Sequence, residues 1–262
     1  MPEQKTRKQE MGGLMDTHTH LCDDSFDRDR GEVIDRAGSA GVSFIIAVGE
    51  TLKDGKKNLQ LAENHPQILP GAGLYPTHLD LSAAMNLKAL IEKERERLAC
   101  IGEVGLDYWV IKDEEEREMQ REIFSLFIEL GKALDLPLNV HARSAGRHAI
   151  DILLKKGAAK VQLHAFDGKA ATAQPAVEAG YFFSIPPSIV HSRQKQKLVK
   201  NLPLSCLLLE TDSPVLGPTP GERNEPANTL IPLHAIAEIK GLSRDAVREA
   251  VIENTRRLYE CP

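Results

Sequence analysis

The sequence predicts an α/β fold, a TIM-type (β/α)8 barrel, and three observations carry that expectation. Eight short apolar runs alternate with longer amphipathic stretches along the chain. The runs are apolar almost throughout, like strands of a parallel sheet covered by helices on both faces. Many of them end in His, Glu or Asp, and polar groups at the ends of many different strands suit a closed barrel. An open doubly wound sheet fits less well, because the Gly-x-Gly-x-x-Gly turn after a first strand is missing. A length of 262 residues suits one barrel. The expectation is a single domain over residues 14–262, preceded by a mobile polar leader at 1–13, with extra C-terminal helices packed on the barrel's outside.

The elements follow in order. The first strand, about 14–18, leads to an amphipathic helix from Asp27 to Ala40, with Val33, Ile34 and Ala37 at helical spacing and Gly41 as its stop. Val42 to Val48 reads as a strand buried on both faces, Leu52 to Asn64 as a helix, and Ile68 to Ala72 as a weak third strand. Leu98 to Glu103 is the fourth. A long helix from Glu114 to Leu134 opens on acidic residues, where the helix dipole favours them, and precedes the strand Leu138 to His141. Helices near 145–155, 170–179 and 194–201 separate the strands at 160–164, 181–185 and 206–212. Two further helices, near 230–240 and 243–259, end the chain.

Bulk properties exclude several classes. A net charge of −5 argues against coating nucleic acid by bulk electrostatics, although a local patch or bound cations can still receive phosphates. Cys22, Cys100, Cys206 and Cys261 are scattered without metal or redox spacing, which implies reduced thiols and an intracellular, cytoplasmic (or, in a eukaryote, nuclear) setting. No run reaches the roughly 18–20 apolar residues of a membrane span, so no membrane partner is expected.

The chemistry gathers at strand ends. In Leu14-Met15-Asp16-Thr17-His18-Thr19-His20 the two histidines are two residues apart, so both point to one face and can meet one ion. Glu103 ends the fourth run, His141 the fifth and His164 the sixth, and Asp212 follows the eighth. In a barrel of parallel strands these ends converge on one face. Six such ligands exceed one tetrahedral ion but suit two ions bridged by a carboxylate. The expected arrangement puts His18, His20 and Asp212 on one divalent cation, His141 and His164 on the other, and Glu103 across both. Zinc, manganese and magnesium are all compatible with such a mixed set. His65, His78, His148, His191 and His234 read as ordinary residues, with His78 set apart because it follows Tyr75-Pro76-Thr77 at the third strand's exit.

In order and spacing, Asp16-Thr17-His18-Thr19-His20-Leu21, Gly102-Glu103-Val104-Gly105-Leu106-Asp107-Tyr108, Val140-His141-Ala142-Arg143, Leu163-His164-Ala165-Phe166-Asp167-Gly168, Glu210-Thr211-Asp212-Ser213-Pro214 and Arg223-Asn224-Glu225-Pro226 match a known pattern. The chain resembles the TatD family of metal-dependent deoxyribonucleases, among the amidohydrolase-like barrels, from about Leu14 to Tyr259. The stretches Arg143-Ser144-Ala145-Gly146-Arg147 and Gly180 to Ile189 are most similar to the branch containing TatD-domain-containing protein 3. The resemblance implies a dinuclear site hydrolysing DNA phosphodiesters with a metal-activated water, often as an exonuclease, 3′-5′ being one form, with single-stranded DNA or a DNA end as partner. One departure stands out. Where the family usually reads Gly-x-His-Pro-His, this chain has Gly73-Leu74-Tyr75-Pro76-Thr77-His78, so Tyr75 replaces a histidine thought to contact substrate.

The expected division of labour follows. Asp212 accepts the water's proton and is catalytic together with Glu103, while Glu210, two residues earlier, orients a ligand from behind. Arg143 and Arg223 offer guanidinium forks to phosphate, and Tyr75 and His78 face the substrate, with Ser188 lining the pocket. Two other readings share the sequence. One is hydrolysis of a small phosphoester, amide or lactone on the same barrel, which glutamate rather than a modified lysine after strand four disfavours. The other is a non-catalytic, metal-stabilised binding module.

Overall fold

The computed structural model describes residues 13–259. Eight strands pair in parallel and in sequence order: β1 (Leu14–Thr19), β2 (Val42–Ala47), β3 (Ile68–Ala72), β4 (Cys100–Gly105), β5 (Leu138–His141), β6 (Val161–Leu163), β7 (Phe182–Ile185) and β8 (Leu207–Leu209). Between and after them run α1 (Arg30–Ser39), α2 (Leu52–Asn64), α3 (Leu81–Glu94), α4 (Glu114–Leu134), α5 (Gly146–Lys155), α6 (Ala170–Glu178), α7 (Arg193–Asn201), α8 (Leu230–Lys240) and α9 (Arg244–Tyr259). This is the expected TIM-type barrel. Helices cover the outer face, with Phe124, Phe127 and Ile128 of α4 buried against Val104, Leu138 and Val140 in the largest apolar cluster. Each such side chain taken out of water contributes roughly 1.5–3 kcal/mol. Among the described residues no helix is long and apolar enough to cross a membrane.

A second cluster fills the barrel's lower interior: Met15, Ile46, Cys100, Phe182 and Leu208 from the strands. Met15 and His18 both face inward although three residues apart, and so do Cys100 and Glu103. Plain alternation would send the second of each pair outward. The strand registers shift in both places, between Asp16 and Thr19 in β1 and between Ile101 and Val104 in β4. One inserted residue reverses the alternation, which is how bulges re-aim side chains beside functional sites. Glu103 consequently lies within β4 rather than at the end of a strand, and β8 stops at Leu209, earlier than its apolar run suggests.

The barrel closes between β8 and β1 through side chains and a few backbone bonds. Asp16 accepts from Thr211, through Oδ1 from the amide (2.8 Å) and Oδ2 from Oγ1 (2.5 Å). Thr17 Oγ1 donates to the Leu209 carbonyl at 2.9 Å. The amide of Asp212 donates to His18 O and that of His20 to Ser213 O, both at 2.8 Å. This seam joins the two segments that carry three of the candidate ligands.

Two elements differ from the sequence-based expectation. Helix α3 fills the stretch between the third and fourth strands, where no helix is predicted. Asp80 caps it by accepting from the amides of Ser82 and Ala83, and Ala84, Leu87 and Ile91 bury one face. Helix α9 does not stay on the outside: Leu258 and Tyr259 of its last turn join the interior cluster. The Tyr259 hydroxyl bonds Gln162 Oε1 and receives Asn139 Nδ2 at 3.3 Å, so the helix plugs the barrel from below. Cys22, Cys100 and Cys206 are buried free thiols, while Cys261 and nearly all of the expected leader lie outside the described residues.

Asp16→Asn replaces an acceptor facing Thr211 with an amide that can only partly match its two donors. The urea midpoint of the metal-free protein should fall by the equivalent of about 1–3 kcal/mol; an unchanged midpoint would remove Asp16 from the seam.

Candidate metal centre

Five segments deliver buried polar side chains to the upper end of the barrel. β1 carries His18 and, one residue beyond it, His20; β4 carries Glu103, β5 ends in His141, β6 leads into His164, and β8 leads through Glu210 to Asp212. His18 is 0% exposed, Glu103 1%, and His141, His164 and Asp212 are likewise buried. The structure thus brings together all six residues singled out from the sequence.

Glu103 stands between two groups. Its Oε2 lies 3.7 Å from His18 Nε2 and 3.4 Å from His20 Nε2. Those two nitrogens are 3.3 Å apart, and each is 3.4 Å from Asp212 Oδ1. Ligand atoms at 2.0–2.1 Å around a tetrahedral ion stand roughly 3.3–3.4 Å from one another, so the two ring nitrogens and Asp212 Oδ1 have the spacing of a coordination shell, with Glu103 Oε2 beside it. On its other side, Oε1 lies 2.5 Å from His141 Nδ1 and 2.8 Å from His164 Nε2, which are 3.0 Å apart. Those are the spacings of direct hydrogen bonds. Both groups are able to hold a divalent cation by residue type and convergence.

The surroundings fix which nitrogen of the His18 and His141 rings faces inward. Asn139 donates its Nδ2 to Thr17 O (2.9 Å), so its Oδ1, 2.8 Å from His18 Nδ1, must accept, and the lone pair of His18 is left on Nε2. Asp107 Oδ2 lies 3.2 Å from His141 Nε2 and turns that ring's Nδ1 towards Glu103. Glu50 Oε1 stands 3.6 Å from His20 Nδ1. The buried His164 Nδ1 has no hydrogen-bond partner among the described residues; Glu210 Oε2 is 3.8 Å away, engaged by Ser184 Oγ at 2.6 Å. Glu210 Oε1 accepts from the Ala165 amide at 2.9 Å, so it steadies the backbone next to His164.

Electrostatics agree with a cation trap. Burial alone would raise Glu103, but His164 and His141 beside it hold its carboxyl well below the usual range. Asp212 is buried too, and its contacts with His20 and His18 hold it down. Burial and the neighbouring His164 lower His18 to about 3, keeping its Nε2 lone pair open. His20 and His141 are raised in spite of burial, the first by Asp212 and Glu103, the second to about 9 by Glu103 and Asp107. A cation at these histidines would compete with protons for the same nitrogens. Glu210 is pushed up to about 7 by burial, with His164 opposing and Asp212 adding to the shift.

The centre opens into a cavity of about 410 Å³, which Arg143 and Tyr75 help to line. The Tyr75 hydroxyl donates to Asp107 Oδ2 at 3.4 Å, burial raises its pKa, and its ring meets His141 edge-on. Two expected substrate residues are placed elsewhere. Arg223 pairs with both oxygens of Asp29 (2.8 and 2.5 Å) and with Ser25 O, and its guanidinium lies over Phe26. Its motif is a clasp: Asn224 Nδ2 donates to Thr211 O and Val215 O, and Glu225 pairs with Arg36 at 2.7 Å. His78 is exposed, because Gln120 Nε2 holds the Pro76 carbonyl at 2.8 Å and the turn leaves only Tyr75 on the cavity wall. Ser188 is buried but does not line the cavity. Residues the sequence did not single out are Asp107, Asn139, Glu50 and Lys195. Asp107 could have been found from its place in the Gly-Leu-Asp-Tyr stretch, and Glu50 from its place after strand two. Asn139 and Lys195 carry no local signal.

A parallel barrel with a buried His–Glu–Asp cluster at the C-terminal ends of its strands defines a metal-dependent hydrolase. The chain belongs to the TatD-related DNase family, whose sequence model matches residues 15–260. It is 45% identical over 262 residues to the human protein named deoxyribonuclease TATDN3, with 94% of each chain covered. It is 32% identical over 259 residues to the Bacillus subtilis metal-dependent hydrolase YabD, covering 94% of this chain and 98% of that one. Among solved structures, Escherichia coli YjjV, a TatD homologue, superposes with a TM-score of 0.88 at 26% identity, over 95% of this chain and 98% of that chain.

Asn139→Ala removes the acceptor that fixes the His18 ring. Metal affinity, measured by competition with a chromogenic chelator, should fall about 10–100-fold while the fold persists. Unchanged affinity would show that His18 needs no such partner.

Proposed function

We propose that this chain hydrolyses DNA phosphodiesters with two divalent cations, as a deoxyribonuclease acting on single-stranded DNA or a DNA end. The observation that carries the reading is the division of Glu103, one carboxylate oxygen turned to His18 and His20, which converge with Asp212, and the other to His141 and His164. Human deoxyribonuclease TATDN3, at 45% identity, supports the substrate class. Zinc, manganese and magnesium all suit the mixed nitrogen and oxygen donors. When bound, the two ions supply a lowered pKa for the attacking water and stabilise charge on the attacking and leaving oxygens.

The chain's own groups do the rest. His18, His20, His141, His164, Asp212 and Glu103 would hold the ions, Glu103 contributing an oxygen to each group. The Asp212 carboxylate, held ionised among histidines, accepts the proton of the attacking water. Asp107, Asn139 and Glu210 keep the ligand-bearing segments in place, and Arg143 presents its guanidinium to the phosphate from the cavity wall. Tyr75 donates one neutral hydrogen bond and, with its raised pKa, does not act as the acid for the leaving group. We take residues 14–262 as one catalytic domain.

The test is metal content of the purified protein beside hydrolysis of end-labelled single-stranded DNA, with and without chelator. The product ladder also reads whether cleavage runs 3′-5′ from an end, as the family resemblance implies. Glu103→Ala should abolish activity and reduce bound metal to one ion or none; a variant keeping two ions and normal turnover would sink the bridging role. Tyr75→Phe should cost only a few-fold in kcat/KM, matching a hydrogen bond of roughly 0.5–1.5 kcal/mol. A loss of two orders of magnitude would return it to the acid role.

A further inference from the structure

With Arg223 committed to Asp29, the sequence-based expectation loses one of its two phosphate-binding cations. Another cation stands in the wall of the same cavity. Lys195 lies in the first turn of α7, whose Ser192 cap receives its amide at 3.3 Å. The residue is only 8% exposed and reaches inward to the cavity lined by His164 and Asp212.

The ammonium is poorly satisfied. Its Nζ donates to the Ala165 carbonyl at 3.0 Å, and no carboxylate among the described residues pairs with it. An ammonium has three N–H donors, so two have no acceptor among the described residues. Burying a cation with a single neutral partner is costly, and desolvation lowers the Lys195 pKa, although Glu210, Asp212 and Asp167 act to retain its charge. Such a group is stabilised by an anion entering the cavity. Arg143, whose guanidinium lies 5.2 Å from the Trp109 ring centre, reaches the cavity from the loop after β5; Lys195 reaches it from the segment after β7.

We propose that Lys195 binds substrate, its ammonium pairing with a non-bridging oxygen of the phosphate held at the metal centre. The inference deepens the phosphodiester reading above and rests on it for the identity of the anion. A purely structural role has its own rationale: Ala165 adopts a left-handed backbone (φ 42°) with its amide held by Glu210 and its carbonyl by Lys195, next to His164. The two roles predict different measurements.

The experiment uses the full, metal-loaded chain and its Lys195→Met and Lys195→Arg variants. Bis-p-nitrophenyl phosphate and a single-stranded oligonucleotide serve as substrates, and inorganic phosphate as competitive probe. Lys195→Met should raise the phosphate inhibition constant and both KM values about ten-fold, with a smaller change in kcat and unaltered metal content, as loss of a charge-assisted contact requires. The slope of log affinity against log salt for the oligonucleotide should shrink by roughly 0.7, the share of one phosphate contact on a single strand. Lys195→Arg should recover most of the phosphate affinity. An unchanged inhibition constant and salt slope in Lys195→Met, with metal or kcat lost instead, would overturn the proposal in favour of the loop-holding role. The failures separate cleanly. A chain that ignores DNA yet shows Lys195-dependent inhibition by phosphate overturns the nuclease reading alone. A chain that cleaves DNA with Lys195-independent phosphate inhibition overturns this inference alone.

Discussion

The closure between β8 and β1 is the constraint on which the rest of the molecule depends. A parallel barrel has no edge only if its last strand meets its first, and here β8 is three residues long. The carboxylate of Asp16, bonded to the amide and hydroxyl of Thr211, completes what the short ladder cannot. His18 and His20 lie just after Asp16, and Asp212 just after Thr211. The groups that seal the barrel therefore also set the separation of three candidate ligands. The Arg223-Asn224-Glu225-Pro226 clasp acts on the same place, since Asn224 holds the Thr211 carbonyl while its neighbours bind α1 and the loop before it.

Below the centre the barrel is graded. Apolar side chains and the end of α9 fill the bottom, and a polar layer of Asn139, Gln162 and Ser184 comes next, satisfied by Thr17, Tyr259 and Glu210. The histidines and acids lie on top. The middle layer provides oriented acceptors in a dry interior, where hydrogen bonds are strong and unpaired polar groups costly. It explains why a C-terminal helix enters the barrel: Tyr259 bonds Asn139, and Asn139 fixes the His18 ring. Bulges in β1 and β4 then turn His18 and Glu103 into the top layer, at the expense of regular pairing.

The centre and its wall answer opposite electrostatic needs. Histidines and acids crowd together, with the Nε2 atoms of His18 and His20 3.3 Å apart, an arrangement that suits a cation. Around them stand Arg143 and Lys195, which suit an anion. A divalent cation at the centre and an anionic substrate in the cavity would satisfy both, and a net charge of −5 for the whole chain does not oppose this, since the field that matters is local.

The sequence by itself determined the alternation of strands and helices and the identity of the polar residues at the strand ends. Both follow from local pattern: apolar runs must be buried, and parallel strands carry whatever ends them to one face. The gathering of His18, His20, Glu103, His141, His164 and Asp212 was legible for that reason. Helix α3 was legible in principle, from Asp80 and the Ala- and Leu-rich run behind it. Only the tertiary structure decided which long side chains reach the cavity. Arg223 and Lys195 are both cations near the upper rim, but Asp29 intercepts one, whereas the first turn of α7 aims the other inward. His78 lies outside because Gln120, more than forty residues away, pins the turn before it. Asn139 behind His18 and Tyr259 beneath it are likewise long-range partners. Spacing along the chain sets which face a residue shares, and the partners folded against that face decide what its side chain can touch.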